Sequence, residues 1–127
     1  MQKCIDNATK VQKRSLVFEI AENTQIFVRN PYGNYVVQYV LELKDLETNA
    51  IIASKLIGNL YELGKEKFSS NVIEKCLEHN SEQVKERMVI EILQITNFYL
   101  FLLDQYGNYV IQKALSVANE PFFEQFI

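Results

Sequence analysis

Two seven-residue segments, Tyr32-Gly33-Asn34-Tyr35-Val36-Val37-Gln38 and Tyr106-Gly107-Asn108-Tyr109-Val110-Ile111-Gln112, are nearly identical, and each carries two carboxamides and two aromatic rings at the same spacing. Between them lies a variant, Phe68-Ser69-Ser70-Asn71-Val72-Ile73-Glu74-Lys75, with Ser70, Asn71 and Glu74 where the flanking copies have Asn, Tyr and Gln. A pair of carboxamides offers donors and acceptors together, whereas an ionised glutamate offers acceptors only. Nucleobase edges ask for these sets. Uracil presents an acceptor, a donor and an acceptor along its Watson–Crick edge, which Asn34 with Gln38, or Asn108 with Gln112, can satisfy. Guanine carries two adjacent donors, N1–H and the 2-amino group, which the Glu74 carboxylate can accept bidentately. Tyr35 and Tyr109 supply flat faces for stacking, worth about 1–3 kcal/mol per base in single-strand binders, and Asn71 is a weaker stacker.

The elements that must position these groups are helices. Motif positions one and five are i and i+4, so they project side by side from one helix face. Positions three and four (Val36 and Val37, Val72 and Ile73, Val110 and Ile111) point to the core. The nine polar or aromatic residues of the three triplets are expected to form one exposed strip. The copies recur at offsets of 36 and 38 residues, and the same period run backwards from Gln38 lands on Gln2. Cys4, Val40, Cys76 and Ala114 then share a slot, as do Ile5, Leu41, Leu77 and Leu115. A period in this range marks a solenoid of helical units.

Each period reads as three helices. In the middle unit these are a short one at Leu60–Leu63, a second from Ser70 to about His79 with Val72, Ile73, Cys76 and Leu77 as its apolar stripe, and a third from about Ser81, which has the look of a cap. The preceding unit gives Gln25–Val28, Asn34–Leu43 and roughly Leu46–Ile57. The last gives Phe98–Leu103, Asn108–Ala118 and a start near Pro121, a residue suited to a first helical turn. The expected divisions are 1–23 (the tail of one repeat), 24–59, 60–95 and 96–127. Met1 enters inside a second helix and Phe122–Ile127 stops inside a third, so part of a longer array is expected.

Composition is consistent with a folded chain and narrows the classes. The 127 residues are 48% hydrophobic with a formal charge of -3. A negative balance gives no global attraction to nucleic acid, but a basic face can coexist with an acidic back. No apolar run reaches the roughly 20 residues that span a bilayer, and the first residues carry charges and do not resemble a signal peptide. A cytoplasmic, non-membrane protein is expected. Two cysteines far apart and a single histidine, His79, offer little for a metal site or for His-based catalysis. The in-phase Cys4 and Cys76 read as small hydrophobes packed between helices. No nucleophile–base pair or phosphate-binding glycine loop is present, so no enzyme, cofactor, metal or small-molecule substrate is expected.

Asn-Tyr-x-x-Gln resembles the uracil reader, and Ser-Asn-x-x-Glu the guanine reader, of the Pumilio (PUF) family, which reads RNA one base per helical repeat with two or three side chains. The resemblance covers essentially the whole chain, and the succession of triplets is similar to the last three repeats of Pumilio domains. It implies an all-α, right-handed α-solenoid of three-helix repeats whose concave face binds single-stranded RNA. RNA would run antiparallel to the protein, the repeats of Asn108, Ser70 and Asn34 reading U, G and U in turn. It also implies post-transcriptional control of messenger RNA through 3′ untranslated regions, by repression or decay with protein partners. Gln2, Lys75 and Lys113 are candidate further RNA contacts, the lysines through phosphates, like Arg29, Lys65 and Lys67. His79 is expected to be a polar residue near a helix C-terminus.

A single copy of the motif would fit a blander account, with Asn34 as a helix N-cap and Tyr35 as a half-buried aromatic. Three in-phase copies with a correlated Ser/Glu change argue against it. The alternative class is a protein-binding scaffold of armadillo or HEAT type, which has a longer period of roughly 40–47 residues.

Overall fold

The computed structural model describes residues 10–118, and among these the regular elements are all helical. They are α1 (Lys10–Glu22), α2 (Thr24–Val28), α3 (Gly33–Glu42), α4 (Leu46–Leu56), α5 (Leu60–Gly64), α6 (Lys67–Glu78), α7 (Glu82–Leu93), α8 (Phe98–Leu103) and α9 (Gly107–Val117). The order short, long, long recurs from α2 onward. Calls on Gln2, Cys4 and the segment after Pro121 fall outside the described residues.

Local chemistry sets the helix starts. Asp45 caps α4 by accepting from the Glu47 N–H, and Ser81 caps α7 by accepting from the Val84 N–H, as its position before Glu82-Gln83-Val84 suggested. The entrances to α3 and α9 are fixed one turn earlier. The Asn30 side-chain oxygen accepts from the N–H groups of Tyr32 and Gly33, and the Asp104 carboxylate does the same for Tyr106 and Gly107. Gly33 and Gly107 are required here by close approach. A Cβ on them would lie 2.7 Å from the Phe27 carbonyl oxygen and 2.5 Å from that of Phe101, respectively.

The middle repeat solves the same junction differently. Its helix α6 begins at Lys67, three residues before the Ser70 start that the motif suggested. Ser69 replaces the glycine, and its hydroxyl donates to the Leu63 carbonyl at 2.6 Å, with Glu66 Oε2 also within 3.0 Å. The helix there extends back through Phe68 to Lys67.

Packing follows the period. The second helices stand side by side, α3 on α6 and α6 on α9. Their apolar stripes are buried: Val37, Val40 and Leu41, then Val72, Ile73, Cys76 and Leu77, then Val110, Ile111 and Ala114. Val36 is only partly covered. Cys76 is fully buried, and that burial pushes its thiol up to about 12, which suits a packing role rather than a reactive one. Phe101 of α8 is fully buried with its ring against Gly64 and tilted toward Tyr61, 5.6 Å between centroids. Burying such a ring contributes roughly 1.5–3 kcal/mol.

Polar ties hold one repeat to the next. The Asn49 amide on α4 donates to the Leu41 carbonyl in its own repeat and to the His79 carbonyl in the following one. The Glu91 carboxylate on α7 accepts from the N–H groups of Gly58 and Leu60 at the entrance to α5. Gly58 has φ +99°, a conformation that favours glycine at this helix exit. His79 closes α6 at its C-terminal end, as expected.

Candidate nucleic-acid interface

The parallel set of α3, α6 and α9 brings the three triplets into adjacent rows. The motif spacing becomes real proximity because each second helix packs directly on its neighbour. Tyr35 and Tyr109 stand out from the row at 58% and 57% exposure, with Asn71 exposed between them. Gln38 and Glu74 are half-buried, and Gln112 is exposed.

The first motif position does not lie on the exposed strip as its spacing suggested. Asn34 is 0% exposed and Ser70 only 2%, while Asn108 is partly covered. The physical reason is that these short side chains fold back onto the preceding turn. Asn34 Nδ2 donates to the carbonyls of Asn30 and Pro31, both at 2.9 Å, and Asn108 Nδ2 donates to those of Asp104 and Gln105. Ser70 Oγ donates to the Lys67 carbonyl.

The asparagines nevertheless touch the fifth position. Gln38 Nε2 donates to Asn34 Oδ1 at 2.9 Å, and Gln112 Nε2 donates to Asn108 Oδ1 at 3.0 Å. This clasp fixes which way each glutamine amide faces. It leaves the glutamine oxygen as an acceptor and the second Nε2–H as a donor, side by side. Glu74 has no equivalent. Ser70 turns to the backbone, and the carboxylate makes no hydrogen bond within its repeat. Burial pushes the Glu74 carboxyl up from its ordinary range, the Lys113 charge pulls it down, and Glu78 pushes it up.

The lysines that follow the motif are engaged. Lys75 Nζ meets Glu42 Oε1 at 2.7 Å, and Lys113 Nζ bonds Glu78 Oε1. Each pair joins a second helix to the preceding one, so both cations already have a carboxylate partner across the repeat boundary. The hydrogen bond from Lys113 holds Glu78 below the usual carboxylate range, and the bond to Glu42 raises Lys75. Arg29 pairs with Glu66 at 3.0 Å, and Lys65 sits 3.9 Å above the Tyr61 ring. Sequence reasoning missed Glu42 and Glu78. The signal was available: both stand four residues after position five, in the repeat before a lysine that directly follows position five.

Comparison with known proteins agrees with this geometry. The model of the "Pumilio-family RNA binding repeat" matches residues 1–21, 27–57, 59–93 and 97–127. The chain is 43% identical to Pumilio homolog 12 of Arabidopsis thaliana over 119 residues, covering 94% of this chain and 20% of that protein. It is 41% identical to putative pumilio homolog 8, chloroplastic, of the same plant, again over 94% of this chain and 23% of the relative. It therefore spans only about a fifth of these relatives' length. Among solved structures it resembles PUF-8 in complex with PBE-RNA, with a TM-score of 0.86 at 31% identity, covering 99% of this chain and 38% of that one. It also resembles the Puf4 RNA-binding domain bound to an HO endonuclease RNA 3′ UTR recognition sequence, with a TM-score of 0.84 at 34% identity, over 98% of this chain and 41% of that one. The repeats, the α-solenoid they build and these matches agree: the chain belongs to the Pumilio family.

Proposed function

We propose that the chain binds single-stranded RNA in a sequence-specific manner and reads 5′-UGU-3′, one base per repeat. The observation that carries this reading is the row formed by α3, α6 and α9, in which Gln38, Glu74 and Gln112 occupy equivalent positions on adjacent helices. Each glutamine, oriented by Asn34 or Asn108, offers one donor beside one acceptor, the complement of uracil N3–H and a neighbouring carbonyl. Glu74 offers acceptors to guanine N1–H and its 2-amino group. Tyr35 and Tyr109 stack on bases between the readers, with Asn71 in the weaker place. Asn34, Ser70 and Asn108 stand behind the readers and shape the floor that each base edge meets. With the antiparallel direction of the family, the repeat of Asn108 takes the 5′ U, that of Ser70 the G, and that of Asn34 the next U.

The regulatory role belongs to the same proposal: binding to 3′ untranslated regions of messenger RNA in the cytoplasm, with partners that repress or degrade the message. The relatives seen with RNA support the RNA part. The test is affinity of the intact chain for short oligonucleotides that contain UGU, UUU or UGA. Tightest binding to UGU is the expected result, and equal binding to all three overturns the base-reading account. Deoxy versions measure how far the 2′-OH contributes.

A further inference from the structure

The guanine reader differs from its neighbours in having no hydrogen bond within its own repeat. Glu74 and Glu78 lie one turn apart on α6, where i and i+4 side chains are neighbours about 5–6 Å apart at Cβ. Lys113 reaches across from α9 and bonds Glu78. Its ammonium is thereby tethered to the acid one turn from Glu74, where its charge reaches the Glu74 carboxyl, in the repeat that would read the preceding base. We propose that Lys113 is a positioning residue for guanine reading, holding Glu74 as an anion from the neighbouring repeat. This rests on the base-reading proposal above and adds a contribution from outside the reading triplet.

The chemistry of the alternative state makes this matter. A protonated carboxyl has one O–H donor and one acceptor, as a carboxamide does. Neutral Glu74 therefore imitates Gln38 and Gln112, and the middle position loses its reason to prefer guanine over uracil. Burial drives Glu74 toward that neutral state, and Lys113 opposes it. The other groups around Glu74 are accounted for. On α6 itself Glu78 opposes ionisation, and Lys75 is engaged by Glu42 of α3. His79 lies beside Glu78 at 3.7 Å. The phenols Tyr35 and Tyr39 on α3 and Tyr109 on α9 are the remaining titratable groups on the flanking second helices.

The experiment compares affinity for UGU and UUU oligonucleotides from pH 5 to pH 8 in the unmodified chain, Lys113→Gln, Glu78→Gln and Lys75→Gln. Lowering the pH should erode the G-over-U preference of the unmodified chain. In Lys113→Gln the erosion should begin at higher pH, with the preference at pH 6 reduced about threefold or more relative to the unmodified chain. Glu78→Gln removes a repelling acid and frees Lys113 to turn toward Glu74, so its preference should persist to lower pH. Lys75→Gln, which breaks an inter-repeat pair of the same kind, should leave the pH profile unchanged. Opposite shifts in the first two variants support the proposal, because a merely structural tie between α6 and α9 would be broken equally by both. If both variants shift the same way, or if neither shifts, Lys113 has no such role. An unmodified chain that does not distinguish UGU from UUU at any pH removes the base-reading proposal itself.

Discussion

The middle repeat and its two neighbours perform equivalent packing with different local chemistry. In the flanking repeats Asn30 or Asp104 holds a glycine entrance, and an Asn–Gln clasp orients the reader from within the same helix. In the middle repeat a serine hydroxyl replaces the glycine contact, the helix begins earlier, and the reader is left to burial and to charges from α9. The difference shows that the repeats are autonomous to different degrees. The flanking glutamines Gln38 and Gln112 are held by an asparagine of their own helix, whereas the charge that favours an ionised Glu74 comes from Lys113 on the next second helix.

The contrast can be broken first at the helix entrances. Gly107→Ala places a Cβ against the Phe101 carbonyl oxygen and should destabilise the chain by about 1–3 kcal/mol, measured by denaturant unfolding. Ser69→Ala at the equivalent position loses only a buried hydrogen bond and should stay near the lower part of that range, about 1 kcal/mol. Equal losses would mean that the two junctions are not built differently.

Stacking comes next. Tyr35→Ala should weaken binding of an RNA containing UGU by about 1–3 kcal/mol, and Asn71→Ala by less, in a direct titration. A smaller effect is expected from Asn34→Ala, which leaves the Gln38 amide free to turn. It should reduce discrimination for U over C at that base by about 1 kcal/mol. The smallest effect belongs to the exposed ion pair of Lys75 with Glu42. Lys75→Gln should change unfolding free energy by less than about 1 kcal/mol, and less again in high salt.

Much of this fold is legible in the sequence because period and burial coincide. Val37, Ile73 and Ile111 recur in phase and are buried together, and Ser81 before an apolar helix caps it as its type suggests. The motif aligns Ser70 with Asn34 and Asn108, but α6 starts earlier. The turn that the Asn30 or Asp104 side chain holds before the flanking helices has no counterpart at Glu66, which caps nothing with its side chain. Spacing also placed Asn34 and Ser70 on the correct helix face but not at the correct depth. A short polar side chain in a first turn can bond the carbonyls behind it, and that choice depends on local backbone geometry. The pairs Lys75–Glu42 and Lys113–Glu78 join residues 33 and 35 positions apart, which become neighbours only when the second helices stack.

The central claim is that the identity of the fifth motif residue, with its two companions, names the base. It is tested most directly by converting the middle triplet to its neighbours' type with Ser70→Asn, Asn71→Tyr and Glu74→Gln together, then measuring affinity for UGU and UUU oligonucleotides. The account predicts that the preference at the middle base moves from G to U. A triple variant that folds and still prefers UGU would contradict it.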